Sequence, residues 1–479
     1  MASWSDPLAS SRRIPKGNDG VPVTMRRRVA LSLALAACFL LSPPLAVAQP
    51  APLYAGYWHT DGTQILDAAG ETVHLAGVNW YGMDDSHWVP AGLDAQRYTT
   101  IMDEVKLLGY NTIRLLISNE LVERNPVVRD GVSANPQFRG EHALQVLDAI
   151  IAYAGQIGLK IVLDDHHSAA PPPMKVNNSY EPLWYTRDYP ESFWIRDWQM
   201  LATRYLNDDA VIGFDLRNEP HTGGSGPWNI HAYLHQGATW GPYHGMDHPA
   251  TDWRLAAERA GNAVLAINPH LLIFVEGVQM YPDAATPNGV DVSWWGGLLT
   301  PIKKYPVVLN VPHQLVYEVH QYGPHKQQMP WFKDLSYQAQ LRVWHAQWTF
   351  ILDNPGSSYA APVWLGEFGT CTDDPGCVQG KAAPQARWLR DILHFLKDHP
   401  QVAWSFFALN GTNSNNCATS NGLLNASWNG LASLPLQRDL MAAQPSPPAT
   451  SILTSAPLLP GTATTWEPRS AASPLCQLA

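Results

Sequence analysis

Two glutamates carry the chemistry that this sequence offers most directly. Glu219 lies in Arg217-Asn218-Glu219-Pro220-His221, just after the apolar run Ile212–Leu216, and Glu367 begins Glu367-Phe368-Gly369, just after Val363–Gly366. Each carboxyl therefore stands at the carboxyl end of a short β-type segment. Two such groups facing one another can hydrolyse a glycosidic bond: one protonates the leaving oxygen while the other attacks the anomeric carbon from the opposite face. Retention of configuration needs a separation of roughly 5–5.5 Å, inversion roughly 6.5–9.5 Å. Other polar groups occupy equivalent ends: Arg114, Asp164-Asp165-His166-His167, His320-Gln321-Tyr322, then Phe407 and Asn410. Groups of this kind are costly to bury unless paired. A structural ion pair is the plain alternative for Glu219 and Glu367, and the flanking motifs weigh against it.

The elements that must position these residues alternate in type. The strand candidates are Val73–Asn79, Thr112–Leu116, Lys160–Leu163, Ile212–Leu216, Leu271–Val275, Val316–Val319, Val363–Gly366 and Val402–Phe406. Helical stretches separate them. Glu141–Ile157 repeats Leu144, Leu147, Ile151 and Ala154 at intervals of three and four, and Asp252–Ile267 is stopped by Pro269. This alternation predicts a single α/β domain, a (β/α)8 TIM barrel, with reactive groups at the carboxyl ends of its strands. His59–Val73, with Asp61-Gly62 and Ala69-Gly70, reads as an N-terminal β-hairpin able to plug the barrel floor.

Composition narrows the ligand. The net charge is -10 and no Lys/Arg-rich run follows residue 28, so nucleic-acid binding has no electrostatic footprint. The 20 Trp, 18 Tyr and 11 Phe divide between core packing and platforms for flat sugar faces, and their number alone does not apportion them. A metal at Asp164-Asp165-His166-His167 is disfavoured, because neighbours on a strand point to opposite sides and cannot all ligate one ion.

The sequence resembles a known family at these same residues. Phe214-Asp215-Leu216 with Asn218-Glu219-Pro220, and Trp364-Leu365-Gly366-Glu367-Phe368-Gly369, resemble clan A glycoside hydrolases, specifically family 5. Residues 152–159, 252–264 and 306–312 are similar to secreted endoglucanases of actinobacteria and xanthomonads, and the likeness runs from about Gly56 to the eighth strand. The resemblance implies a retaining endo-β-1,4-glucanase that uses neither cofactor nor metal, with Glu219 as acid/base and Glu367 as nucleophile. It implies that Asn218 binds the 2-hydroxyl, that Arg114 and Tyr322 orient the nucleophile, and that His166 and His320 flank the centre. It implies stacking rings at Trp80, Trp294 and Trp295, with Trp240 as a further candidate. The family usually presents a Trp where this chain has Phe407, which predicts a smaller platform. Mannan, xylan and xyloglucan are the rival substrates, since one barrel serves several polysaccharides, and a non-catalytic carbohydrate-binding barrel would require the loss of a glutamate.

The ends of the chain read differently. Met25-Arg26-Arg27-Arg28, the apolar run Val29–Leu41 and Ala46-Val47-Ala48 form an export signal, so residues 1–48 are expected to be a leader, with Met25 as a second possible start. Leu35-Ala36-Ala37-Cys38 resembles a lipobox, but the apolar run continues past it and plain secretion is favoured. The catalytic domain is expected at 49–442, followed by a flexible Pro/Ser/Thr/Ala-rich tail at 443–479, too short for a cellulose-binding module. Among the four cysteines after the leader, Cys371–Cys377 is the simplest bridge, with Cys417 as a competing partner. The expected partner is a polysaccharide, with no nucleic acid and no membrane, and the expected state a monomer.

Overall fold

The computed structural model describes residues 54, 56–171, 181–223, 228–380, 383–444, 469, 470 and 476. The leader at 1–48 and most of the tail lie outside them. An antiparallel hairpin, β1 (His59–Asp61) and β2 (Gln64–Leu66), precedes a closed barrel. The barrel strands are β3 (Ala76–Met83), β4 (Thr112–Ser118), β5 (Lys160–His167), β6 (Val211–Asp215), β7 (Leu272–Glu276), β10 (Leu315–Tyr322), β11 (Val363–Gly369) and β12 (Ala403–Phe406). All are parallel to their neighbours, and β12 closes onto β3. A small antiparallel pair, β8 (Met280–Pro282) and β9 (Val290–Val292), is inserted after β7.

The eight expected strands are thus all present, with ends displaced by a few residues. The first begins at Ala76, later than expected, because Val73 and Leu75 turn into the barrel floor. There they join Trp58 and Ile65 against Val162, Ile212, Leu272, Phe274, Val316 and Trp364, residues from the early parts of five strands. The hairpin is therefore the plug that the sequence suggested. The helix over Ala143–Ile157 buries Leu144, Leu147, Ile151 and Ala154, the apolar stripe read from its spacing. The helix over Trp253–Leu265 starts where the Asp252 side chain accepts from the Leu255 amide.

Register irregularities aim the functional side chains. Val319 pairs with Leu365, but the next residue, His320, pairs with Glu367, so Gly366 is an extra residue on β11. The same segment slips against β12, where Leu365 pairs with Trp404 and Phe368 with Phe406. Such a bulge bends a strand and redirects its side chains. Between β4 and β5, Ile117 pairs with Asp165 and Ser118 with His167, leaving His166 as the extra residue.

The chain continues packing past the expected boundary at 442. Gln444 is buried and its side-chain amide donates to the Leu108 carbonyl at 3.0 Å. Two described residues of the tail are attached to the domain: the Arg469 amide donates to the Asn416 carbonyl, and Cys476 is bridged to Cys417. Cys371 is bridged to Cys377, and Cys417 is bridged instead to Cys476. Among the described residues no helix is long and apolar enough to cross a membrane.

Because Ile65 fills the floor at the end of the barrel away from the strand termini, Ile65→Ala should destabilise without touching the chemistry. Urea denaturation should show a loss of about 2–5 kcal/mol, the usual range for such a truncation, with kcat/KM unchanged.

Candidate active site

Arg114, on β4, is wholly removed from water at the top of the barrel. Its Nε and Nη2 donate to Asp215 at 2.9 and 2.6 Å. Nη1 donates to Asn79 at 3.0 Å and to Glu367 at 2.7 Å, and Nη2 donates to Asn218 at 3.0 Å. Asp164 stands 3.1 Å away, Glu318 3.5 Å and Glu276 3.6 Å. Glu367 accepts a second bond at its other oxygen, from the Tyr322 hydroxyl at 2.7 Å. Burial on its own would raise this carboxyl, but His320, Arg114 and the Tyr322 bond outweigh it and hold the pKa at about 2.

Glu219 differs in its surroundings. One oxygen lies 3.0 Å from His320 Nδ1, its side chain keeps 16% exposure, and its backbone adopts φ +52°. That conformation is uncommon outside glycine and persists where the surroundings enforce it. His320 Nδ1 is also 3.7 Å from Glu367, and one oxygen from each glutamate lies with a His320 nitrogen inside a 4.8 Å triangle. One oxygen of each carboxyl therefore lies within 4.8 Å of the other, to be set against the separations of roughly 5–5.5 Å for retention and roughly 6.5–9.5 Å for inversion.

Beneath them sits a layer of buried acids. Burial pushes Asp164 and Asp215 to about 7 and Glu318 to about 8, with Arg114 pulling each back only in part. Burial would strip His320 of its proton, yet Glu276, Glu367, Glu219 and Glu318 together raise it well above the ordinary imidazole range. Gly366 makes room for this layer, since a Cβ there would fall 1.7 Å from Glu318 Oε1.

The cleft above is a cavity of about 380 Å³ lined by His166, Asn218, Glu219, Trp294, Trp295, Tyr322, Glu367 and Phe407, among others. Asn218 has its oxygen committed to Arg114, and its buried Nδ2 has no partner among the described residues. It is a free donor for a ligand hydroxyl. His166 Nδ1 lies 2.7 Å from Asp164, and burial lowers this ring to about 3, so it is neutral. Trp295 stacks on His221 with ring centres 3.9 Å apart, and Phe407 on Tyr81 at 5.8 Å. The Phe407–Ala408 peptide is cis.

Two expected platforms are not in the cleft. Trp80 is fully buried and its indole donates to the Ala91 carbonyl at 3.0 Å. Its strand runs on to Met83, and because Asn79 points inward to Arg114, the next residue must point outward under the helices. Trp240 is equally buried, with its indole donating to the Tyr305 carbonyl at 2.8 Å. Sequence reasoning also missed Trp228 and Gln279 in the cleft wall, and the acids Glu276 and Glu318 below it. A signal existed for Glu318: with His320 and Tyr322 it forms an i, i+2, i+4 series on one strand face.

Comparison with known proteins agrees with this geometry. The family described as Cellulase (glycosyl hydrolase family 5) matches residues 66–413. An endoglucanase of Paenibacillus polymyxa is 37% identical over 376 residues, covering 78% of this chain and 83% of that protein. The major extracellular endoglucanase of Xanthomonas campestris pv. campestris is 33% identical, covering 69% of this chain and 62% of its own length. Among solved structures, a hyperthermophilic endocellulase from the archaeon Pyrococcus horikoshii superposes with a TM-score of 0.68 at 31% identity, covering 82% of this chain and all of that one.

The acid layer makes stability depend on pH. Glu318 binds its proton more tightly folded than unfolded, so its favourable contribution is complete below about 4.5 and is lost as pH rises through about 8. Glu318→Gln cannot titrate. In urea melts across that range, its stability relative to the parent should rise with pH, and a flat or falling difference would contradict the assignment.

Proposed function

The chain belongs to the cellulase family, glycosyl hydrolase family 5, and from that premise we propose that Glu367 and Glu219 carry out a double displacement that retains configuration. The enzyme is an endoglucanase, hydrolysing internal β-1,4 bonds of β-glucans. The observation that carries the mechanism is the short spacing of the two carboxyls, both within reach of His320.

Glu367 is the nucleophile. It is ionised at any working pH, and Arg114 and Tyr322 each take one oxygen while leaving lone pairs for attack. Glu219 protonates the glycosidic oxygen as the bond to the anomeric carbon breaks, yielding a covalent glycosyl-enzyme on Glu367. It then takes a proton from water, which attacks the same carbon and restores the original configuration. Asn218 Nδ2 donates to the 2-hydroxyl of the reacting sugar, and neutral His166 accepts or donates at a neighbouring hydroxyl. Trp294, Trp295 and Phe407 supply apolar faces along the chain of sugars. The Met25–Ala48 leader supports export to where polymeric glucan lies.

The two glutamate variants should separate the roles. Glu367→Gln should be nearly inactive on every substrate. Glu219→Ala should keep activity on aryl cellobiosides with good leaving groups, and azide should accelerate it, giving a β-glycosyl azide. A 2-fluoro glycoside should label the peptide containing Glu367 in the parent enzyme, and carboxymethylcellulose should be cut in preference to mannan, xylan or xyloglucan. Label on Glu219, or inverted products, would overturn the assignment.

A further inference from the structure

Glu276 ends β7 beneath the cleft, is completely buried, and is not among the residues that line the cavity. One of its oxygens accepts the backbone N–H of Glu219 at 3.0 Å. That amide belongs to the residue whose backbone stands at φ +52°. The other oxygen lies 3.4 Å from His320 Nε2, and the opposite nitrogen of that ring is 3.0 Å from the Glu219 carboxyl. A single side chain thus reaches Glu219 by two routes, through its main chain and through the imidazole that contacts its side chain. Two further features hold Glu276 in place. The Trp253 indole donates to its carbonyl at 2.8 Å. Residue 296 has no side chain, and a Cβ there would fall 1.8 Å from Glu276 Oε2.

We infer that Glu276 is a positioning residue for Glu219, fixing its main chain with one oxygen and orienting its carboxyl through His320 with the other. The inference rests on the reading of Glu219 as acid/base. Its logic is one of valence. The Glu219 amide donates to Oε2, while Oε1 makes no hydrogen bond among the described residues but faces His320 Nε2, itself 3.4 Å from Glu318, and the Arg114 guanidinium 3.6 Å away, so both oxygens face nitrogens. Burial raises the Glu276 pKa well above its ordinary value against the pull of His320 and Arg114, but charged or protonated, a carboxyl offers lone pairs at both oxygens and a carboxamide does not. In Glu276→Gln the amide oxygen can serve only one partner, and the NH2 then confronts a donor at the other.

The test is steady-state kinetics of Glu276→Gln on two substrates. With cellotetraose, whose leaving sugar needs a proton, kcat should fall by about tenfold to a hundredfold, within what general acid catalysis contributes, while KM stays close to the parent value. With 2,4-dinitrophenyl β-cellobioside, whose leaving group needs none, the rate of glycosyl-enzyme formation should be little changed. Gly296→Ala, which crowds the same carboxylate without altering its chemistry, should reproduce this selectivity. Adding Glu276→Gln to Glu219→Ala should cost nothing more on cellotetraose, because the group being positioned is already gone. Equal losses on both substrates, no loss on either, or additive losses in the double variant would overturn the inference. If Glu219→Ala itself fails to discriminate between the leaving groups, the acid/base reading falls and this inference falls with it.

Discussion

A guanidinium with no access to water governs the architecture of this site. Stripping Arg114 of solvent would be prohibitive unless its donors met acceptors in good geometry. Asp215, Asn79, Asn218 and Glu367 supply them from four directions. A closed parallel barrel is a frame that brings such groups together, because it points strand residues inward from all sides at one level. The position of Glu367 is then a consequence of the cation, since one of its oxygens is among the acceptors that Arg114 requires. The surrounding acids outnumber the cations, so several of them keep their protons, and His320 is driven to hold its own.

The contrast between the two glutamates follows from where each sits relative to this cation. Glu367 is gripped at both oxygens and kept ionised, which suits a group that attacks carbon. Glu219 is held through its backbone and by one ring nitrogen, and its carboxyl retains some contact with solvent. A group that must release and recover a proton benefits from that access. Chemically identical side chains are separated by environment alone.

The sequence displayed the scaffold clearly because alternation of short apolar runs with helical stripes is a local property. Leu144, Leu147, Ile151 and Ala154 are buried as their spacing required. The catalytic candidates were legible for a related reason: charged residues that end apolar strands must be paired, and a barrel brings such ends together. What escaped were features set by register and by distance. Trp80 follows the expected strand end at Asn79, but the strand continues to Met83, and one further residue turns a side chain from cleft to core. Glu276 stands at a strand end as plainly as Glu219, but nothing local to it announces the contact with a residue 57 positions earlier. The attachment of Cys476 to Cys417 spans 59 residues and is equally invisible to a reading of tail composition.

The glycine before the nucleophile has an origin outside its own strand. Gly366 sits beside Glu367 in a segment that reads as one catalytic signature, yet its missing side chain leaves room for Glu318 on the adjacent strand. The motif is therefore the joint imprint of two strands. A larger residue at 366 collides with the carboxyl at 318, so each position limits what the other can hold. A lineage that shed the acid layer would be expected to relax the glycine next, while every group that touches sugar stayed the same.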